Sequence, residues 1–246
     1  MEIMKIIQAV DLYDRETEKY IVAYLDILGA TNRIRENKAA QDASLNLLCN
    51  LYKQIQYLAS ENGMKKFKDI KFKVFSDNII IAKKVNDDIN NDVLSLLSCV
   101  SNFLCSSVGD SVGWLVRGGV TIGDFYIDDM VVWGSALVRA YELEDKIAVY
   151  PRVILDDNVL EIITKIDADY VRRDTDGQCF LNYMTIWSYA GEFVQAAFEQ
   201  MKTEAINKDG KYPDKIRQKL WWHMNYINQA LDEKNQKKGK KYRLSM

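Results

Sequence analysis

Apolar positions along this chain follow two alternating rhythms. Tyr20 to Leu28 (YIVAYLDIL) is a near-continuous apolar run closed by Gly29, the pattern of a central strand covered on both faces. From Glu36 to Asn62 the residues Ala40, Ala43, Leu47, Leu51, Ile55 and Leu58 recur every three or four positions. That spacing predicts an amphipathic helix, stopped by Gly63. Residues 68–84 (KDIKFKVFSDNIIIAKK) read as two short strands meeting at Ser76-Asp77, because β-rich halves flank small polar turn residues. Val93 to Val108 is apolar over a wide face and predicts a buried helix. Residues 114–127 (WLVRGGVTIGDFYI) are strand-like with an internal glycine pair. Trp133 to Lys146 returns to helical spacing through Ala136, Leu137, Ala140, Tyr141 and Leu143, and Arg152 to Leu155 is a further strand.

The order β, α, ββ, α, β(β), α, β, with an antiparallel hairpin inside, predicts an α+β fold: one sheet with helices packed on it. The split βαβ, ferredoxin-like palm is its best match. Beyond about residue 185 the pattern turns helical, over Ile186 to Ile206 and again over Ile216 to Leu231. The expected division is therefore a domain over 1–184 and a C-terminal helical extension over 185–246.

Composition narrows the classes. Lys and Arg number 33 against 35 Asp and Glu, a net charge of −2, which excludes a polybasic nucleic-acid coat. The exception is local: from Lys234 the segment KNQKKGKKYRLSM carries positive side chains and no acids, and reads either as a solvated terminus or as a contact for a partner or anionic ligand. The 4 cysteines lack C-x-x-C spacing and there is 1 histidine, so no zinc cluster is expected. Three cysteines sit in apolar stretches, as buried free thiols in a reducing compartment would. The first residues do not read as a signal peptide, since acids interrupt their apolar run. Val93 to Gly109, the longest stretch without charge, is too short and serine-rich to span a bilayer. A cytoplasmic protein without membrane or nucleic-acid partners is the expectation.

Two aspartates stand in surroundings that call for a partner. Asp26 ends the first strand run and Asp77 sits in the hairpin turn, each among apolar residues where a bare carboxylate is costly. A hairpin next to a central strand can bring its turn to that strand's end. Two carboxylates brought together repel, and a divalent ion with a taste for oxygen, Mg²⁺ or Mn²⁺, relieves the repulsion. The alternative is that each aspartate only caps a turn. The backbone after Asp26, through Gly29, could form a phosphate-binding nest. Lys73, four residues before Asp77, shares one strand face with it and reads either as a nucleotide contact or as a solvent-facing lysine. Arg117, almost the lone charge in its strand, is either buried against an acid or offered to phosphate.

Taken in order, these segments resemble the class III nucleotidyl cyclase family over roughly residues 18–156. YLDILG (Tyr24 to Gly29) is similar to the family's first metal-aspartate turn, F/Y-x-D-I/L-x-G, and KVFSD (Lys73 to Asp77) to its second, K-x-x-G-D. RGGVTIG (Arg117 to Gly123) and WGSALVRAYELE (Trp133 to Glu144) resemble the later R-x-G-I/V-x-x-G segment and the helix that follows it. The wording of these pieces most resembles the bacterial Pycsar pyrimidine cyclases, which make cyclic UMP or cyclic CMP as an antiphage signal.

The resemblance implies a class III cyclase domain over 1–184 that forms a head-to-tail homodimer with shared sites. UTP would be the substrate, CTP next, with Mg²⁺ or Mn²⁺ held by Asp26, Ile27 and Asp77. Ile27, Leu28, Gly29 and Lys73 would contact substrate, and Asp26, Asp77, Arg139 and Arg117 would be catalytic. Departures accompany it. Ser76 stands where the hairpin glycine is usual, and Val131 where purine cyclases carry a base-reading Asp. Val138 and Glu142 occupy the positions of the usual Asn and transition-state Arg, with Arg139 one residue away. Loss of the purine-reading acid fits a pyrimidine substrate and equally a degenerate, binding-only domain. Dinucleotide-forming palms show paired acids in the hairpin, whereas here Asn78 follows a single Asp.

Overall fold

The central strand β1 (Glu18–Ile27) explains most of what surrounds it. In the computed structural model, which describes residues 15–59, 67–109, 114–186 and 214–238, both faces of β1 are covered. Its side chains alternate between two layers. Ile21, Ala23, Leu25 and Ile27 enter a large core with helices α2 (Lys38–Ala59) and α3 (Ile89–Gly109). Tyr20, Val22 and Tyr24 enter a smaller one, closed by Ala136 and Ala140 of α4 (Ser135–Glu142). The continuous apolar run of the sequence is therefore two alternating faces, each buried.

The sheet runs β2-β3-β1-β4-β6-β8-β7. β1 lies antiparallel between β3 (Asn78–Lys84) and β4 (Val116–Ile127), and β2 (Ile70–Phe75) forms a hairpin with β3 at the sheet edge. β6 (Val153–Leu155) joins β4 in parallel, and the short β5 (Val132–Trp133) folds back on the far end of β4. This is the expected α+β sheet with packed helices.

Local details differ from the periodicity. The helix predicted from Glu36 to Asn62 is α2, and a short helix that the periodicity did not show, α1 (Ala30–Glu36), precedes it, separated from it by Asn37 in extended conformation. The Asn37 side chain accepts a hydrogen bond from the Ala40 amide at 2.9 Å, so it caps α2 where apolar spacing alone would let the helix run on. The stop at Gly63 lies outside the described residues. The helix after Trp133 loosens into a π-turn over Leu143–Ile147. Cys99 and Cys105 are buried thiols, but Cys49 is exposed, because Leu47 and Leu51 take the inner face of α2.

Besides α1, the helix α5 (Asp157–Ile166) and the hairpin of β7 (Val171–Arg173) with β8 (Cys179–Leu181) had no counterpart in the sequence reading. Of the helical extension, α6 (Asp214–Lys238) is described, while the stretch from residue 187 to Ile206 and the end of the basic tail lie outside the described residues. Met224, Tyr226, Ile227, Ala230 and Leu231 of α6 belong to the same large core as β1. Among the described residues no helix is long and apolar enough to cross a membrane.

Candidate active site

At the C-terminal end of β1 several charged and polar side chains come together. Asp26 lies opposite Asn78 of β3 on one side and Arg117 of β4 on the other. The hairpin turn carrying Asp77 is fastened to the same place, since the Ile27 amide donates to the Asp77 carbonyl at 3.1 Å. Ser76 opens this turn at φ +58°, a left-handed conformation that costs a non-glycine residue about 1 kcal/mol. The two aspartates foreseen as a pair thus stand at adjoining positions.

Each carboxylate has its own support. The Arg117 Nε donates to Asp26 Oδ2 at 2.9 Å, and the same guanidinium lies 2.6 Å from the carboxylate of Glu144. Asp77 Oδ2 accepts from the Thr31 hydroxyl at 3.3 Å, and its Oδ1 from the side-chain Nδ2 of Asn78 at 3.3 Å. The Asn78 side-chain Oδ1 accepts from the Tyr24 hydroxyl at 2.5 Å, which closes the cluster. Burial, together with the nearby charges of Glu144, Asp26 and Asp77, pushes the Tyr24 phenol up to about 12, so it remains a donor. Glu144 is pushed up to about 7, chiefly by burial and further by the Asp26 charge, against the pull of Arg117. Several charges therefore share one partly buried place, with Arg117 bridging two acids.

Glu144, Tyr24 and Asn78 were not singled out from the sequence. Glu144 was legible: it lies on the stripe Ala136, Ala140, Leu143 that α4 and its π-turn bury, and a buried acid on such a stripe asks for a cation.

The remaining sequence candidates spread out. The amides of Ile27 and Leu28 are engaged inside the fold, by Asp77 and by the Leu115 carbonyl at 2.9 Å. Gly29 has φ +80°, a turn open on its Cβ side, leading into α1. Lys73 lies beside Ile80, itself next to Tyr24, and donates to the Asp129 carbonyl at 2.8 Å. It lines a cleft of about 940 Å³ between α2, β2 and the β4–β5 turn, whose lining residues include neither Asp26 nor Asp77.

Arg139 is not gathered to Asp26 within the subunit. Its guanidinium grips Asp156 (Nε at 3.0 Å, the terminal nitrogen at 2.6 Å), and Asp156 also accepts from Thr121 at 2.7 Å. Thr121 stands four residues along β4 from Arg117, about 13 Å at strand rise. Val131 and Val138 are exposed, and Glu142 pairs with Lys146.

As a metal donor set the site offers hard oxygens, which suits Mg²⁺ or Mn²⁺ rather than softer ions. Among the described residues no three His, Cys, Asp or Glu side chains converge as a metal cluster. A bound ion would therefore rest on two carboxylates, supplemented by backbone oxygen or substrate.

No family model and no curated protein matches this chain. Solved structures do. A double mutant of the guanylyl cyclase domain of the RhoGC fusion protein from the aquatic fungus Blastocladiella emersonii superposes with a TM-score of 0.50 and 13% identity, covering 68% of this chain and 94% of that one. A structure of the monomeric guanylyl cyclase domain of the same fusion protein gives 0.49, 14%, 68% and 95%. A class III adenylyl cyclase-like ATP-binding protein from Pseudomonas aeruginosa gives 0.48 and 12%, over 82% of this chain and 48% of that one. The architecture of this chain is that of class III nucleotidyl cyclase domains.

Proposed function

We propose that this protein is a pyrimidine nucleotide cyclase. It converts UTP, with CTP the next candidate, into the 3′,5′-cyclic mononucleotide and pyrophosphate, a second messenger of antiphage defence. The observation that carries this reading is that the turn bearing Asp77 is fastened by its backbone to the end of β1, next to Asp26 with its partner Arg117, in a fold shared with a guanylyl cyclase domain.

Asp26 and Asp77 would hold Mg²⁺ or Mn²⁺, which when bound lowers the pKa of a ribose 3′-hydroxyl and screens the triphosphate. The protein's own part is positional. Arg117 fixes the rotamer of Asp26, and Thr31 and Asn78 fix that of Asp77, so that both carboxylates keep their geometry without reorganising during the reaction. Gly29 lets substrate phosphate approach the backbone. The 3′-oxygen attacks the α-phosphorus, and pyrophosphate leaves in line.

A head-to-tail homodimer completes the proposal. Phe75, Val131, Trp133, Val138 and Tyr141, large and exposed, stand on the β2–β3 turn, the β4–β5 turn and the outer side of α4, and would be covered by a second subunit. In such a dimer Arg139 would serve the shared site. Val131 in place of a purine-reading acid supports a pyrimidine base.

The test is product analysis by mass spectrometry with each of the four nucleoside triphosphates, with and without Mn²⁺. Cyclic UMP or cyclic CMP, lost in Asp77→Ala, is expected. Turnover that survives Asp77→Ala refutes the assignment. A second reading, a domain that binds nucleotide without turnover, is favoured by Val138 and Glu142 at the helix positions. Calorimetric binding without any product would select it.

A further inference from the structure

Glu144 is more buried than the aspartate whose arginine it shares: its side chain is 4% exposed, that of Asp26 18%. It is carried by the π-turn Leu143–Ile147, which the Ala148 amide closes by donating to the Leu143 carbonyl at 2.9 Å. The turn lies directly on β4, where Gly119 has no side chain to hold it off. A carboxylate so placed is unfavourable. An apolar residue there would cost less and would leave the Arg117–Asp26 pair standing, because Nε of Arg117 makes that contact and a terminal nitrogen faces Glu144.

What Glu144 adds is charge. The terminal nitrogen of Arg117 lies 2.6 Å from Glu144 Oε1, an ion pair out of line for a hydrogen bond. Among the described residues Asp26 Oδ1 accepts no hydrogen bond, since Arg117 takes Oδ2, so Oδ1 is the oxygen left for an ion. A divalent cation at Oδ1 would have the guanidinium as a close neighbour, and like charges at that range repel. Glu144 cancels the guanidinium from its other end. In this contact group two acids against one cation leave a single negative charge, and Asp77 adds a second, the complement of a divalent ion. Without Glu144 one negative charge remains, and Arg117 belongs wholly to Asp26.

We propose that Glu144 is a positioning residue for the metal: by neutralising Arg117 it lets Asp26 hold a divalent cation beside an arginine. The proposal rests on reading Asp26 and Asp77 as the metal site of a nucleotide cyclase, and it gives the π-turn a part in that site's affinity.

Mn²⁺ titrations of the full chain without nucleotide, followed by the electron paramagnetic resonance of the free aqueous ion, test it at about pH 8, above the Glu144 value of about 7. Glu144→Gln keeps the shape, removes the charge and should raise the Kd for Mn²⁺ about tenfold, while Glu144→Asp stays within about threefold of wild type. Adding Arg117→Gln to Glu144→Gln removes the cation with its counter-charge and leaves an amide to hold Asp26. This double variant should return to within about threefold of wild type. Unchanged binding in Glu144→Gln overturns the proposal. Equal loss in Glu144→Gln and Glu144→Asp, or a double variant as weak as Glu144→Gln, also overturns it, by making the effect one of packing. Should Glu144→Gln melt too low to titrate, Arg117→Gln alone is compared with the double variant: carrying one more negative charge, it should bind Mn²⁺ more tightly, and equal affinity overturns the proposal. Wild-type Mn²⁺ uptake that is absent, or that survives Asp77→Ala, overturns the metal reading of the pair as well.

Discussion

The sole histidine of the chain offers a quantitative test of how α6 is held. His223 is almost wholly buried, and its Nε2 lies 2.6 Å from the Tyr183 hydroxyl, between aromatic rings of Tyr183 and Tyr226. Burial among apolar and aromatic groups penalises the imidazolium and pushes its pKa down to about 3, from an ordinary 6.5. The unfolded chain takes up a proton near the ordinary value, whereas the folded chain resists until about 3. Acid therefore favours unfolding across that window. The effect is absent above about pH 6.5, grows by about 1.4 kcal/mol per pH unit below it, and levels off near pH 3.

At about pH 4.5 the accumulated loss is about 3 kcal/mol, a sizeable fraction of a typical domain's stability. Carboxylates such as Asp156 and Asp176, held below their usual range in part by hydrogen bonds from Arg139 and Arg152, also weaken the fold in acid. The informative quantity is thus the difference between wild type and His223→Phe. The variant loses the Tyr183 hydrogen bond at every pH, a constant offset of about 1–3 kcal/mol. Urea titrations at about pH 7.5 and 4.5 should show the variant gaining about 3 kcal/mol on wild type between the two. Stability curves that stay parallel within about 0.5 kcal/mol would refute the reasoning and mean that the imidazole titrates normally.

Other substitutions probe the site and its frame. Asp26→Asn should remove cyclic nucleotide formation by at least about a hundredfold in kcat while leaving the urea midpoint near wild type. Gly119→Ala should destabilise by about 1–3 kcal/mol in thermal melts, because an added Cβ would lie 2.4 Å from Leu143 Cβ and 2.6 Å from the Ala140 carbonyl, pushing α4 and the Glu144 turn off β4. Arg152→Leu leaves Asp174 and Asp176 facing each other without their shared cation, and about 3–5 kcal/mol should vanish from chemical denaturation. Arg139→Ala breaks a half-exposed pair with Asp156 and should cost stability under about 1 kcal/mol; a kcat loss far beyond that would place it in the shared site.

Much of the frame was legible because it depends on short-range patterns. Strand β1, the hairpin around Ser76-Asp77 and helices α3 and α4 follow from apolar spacing and turn chemistry that any few consecutive residues display. Asp26 and Asp77 were legible for a related reason: carboxylates inside apolar runs announce a burial cost that something must offset. What escaped was weakly patterned or long-range. Helix α1 spans only two turns, too few to show a period. The β7–β8 hairpin is too short to alternate audibly, and Cys49 faces outward only because its neighbours claim the core.

By itself the sequence determined the alternation of strands and helices, the strand-end aspartates and the mismatch of Val138 and Glu142 with the usual helix residues. Tertiary structure decided where each cation is spent: Arg117 on Asp26 and Glu144, Arg139 on Asp156, and Arg152 on Asp174 and Asp176. The physical reason is that a charge is indifferent to sequence distance. It is compensated by whichever opposite charge packing brings near, and packing is settled by the apolar surfaces of elements far apart in the chain.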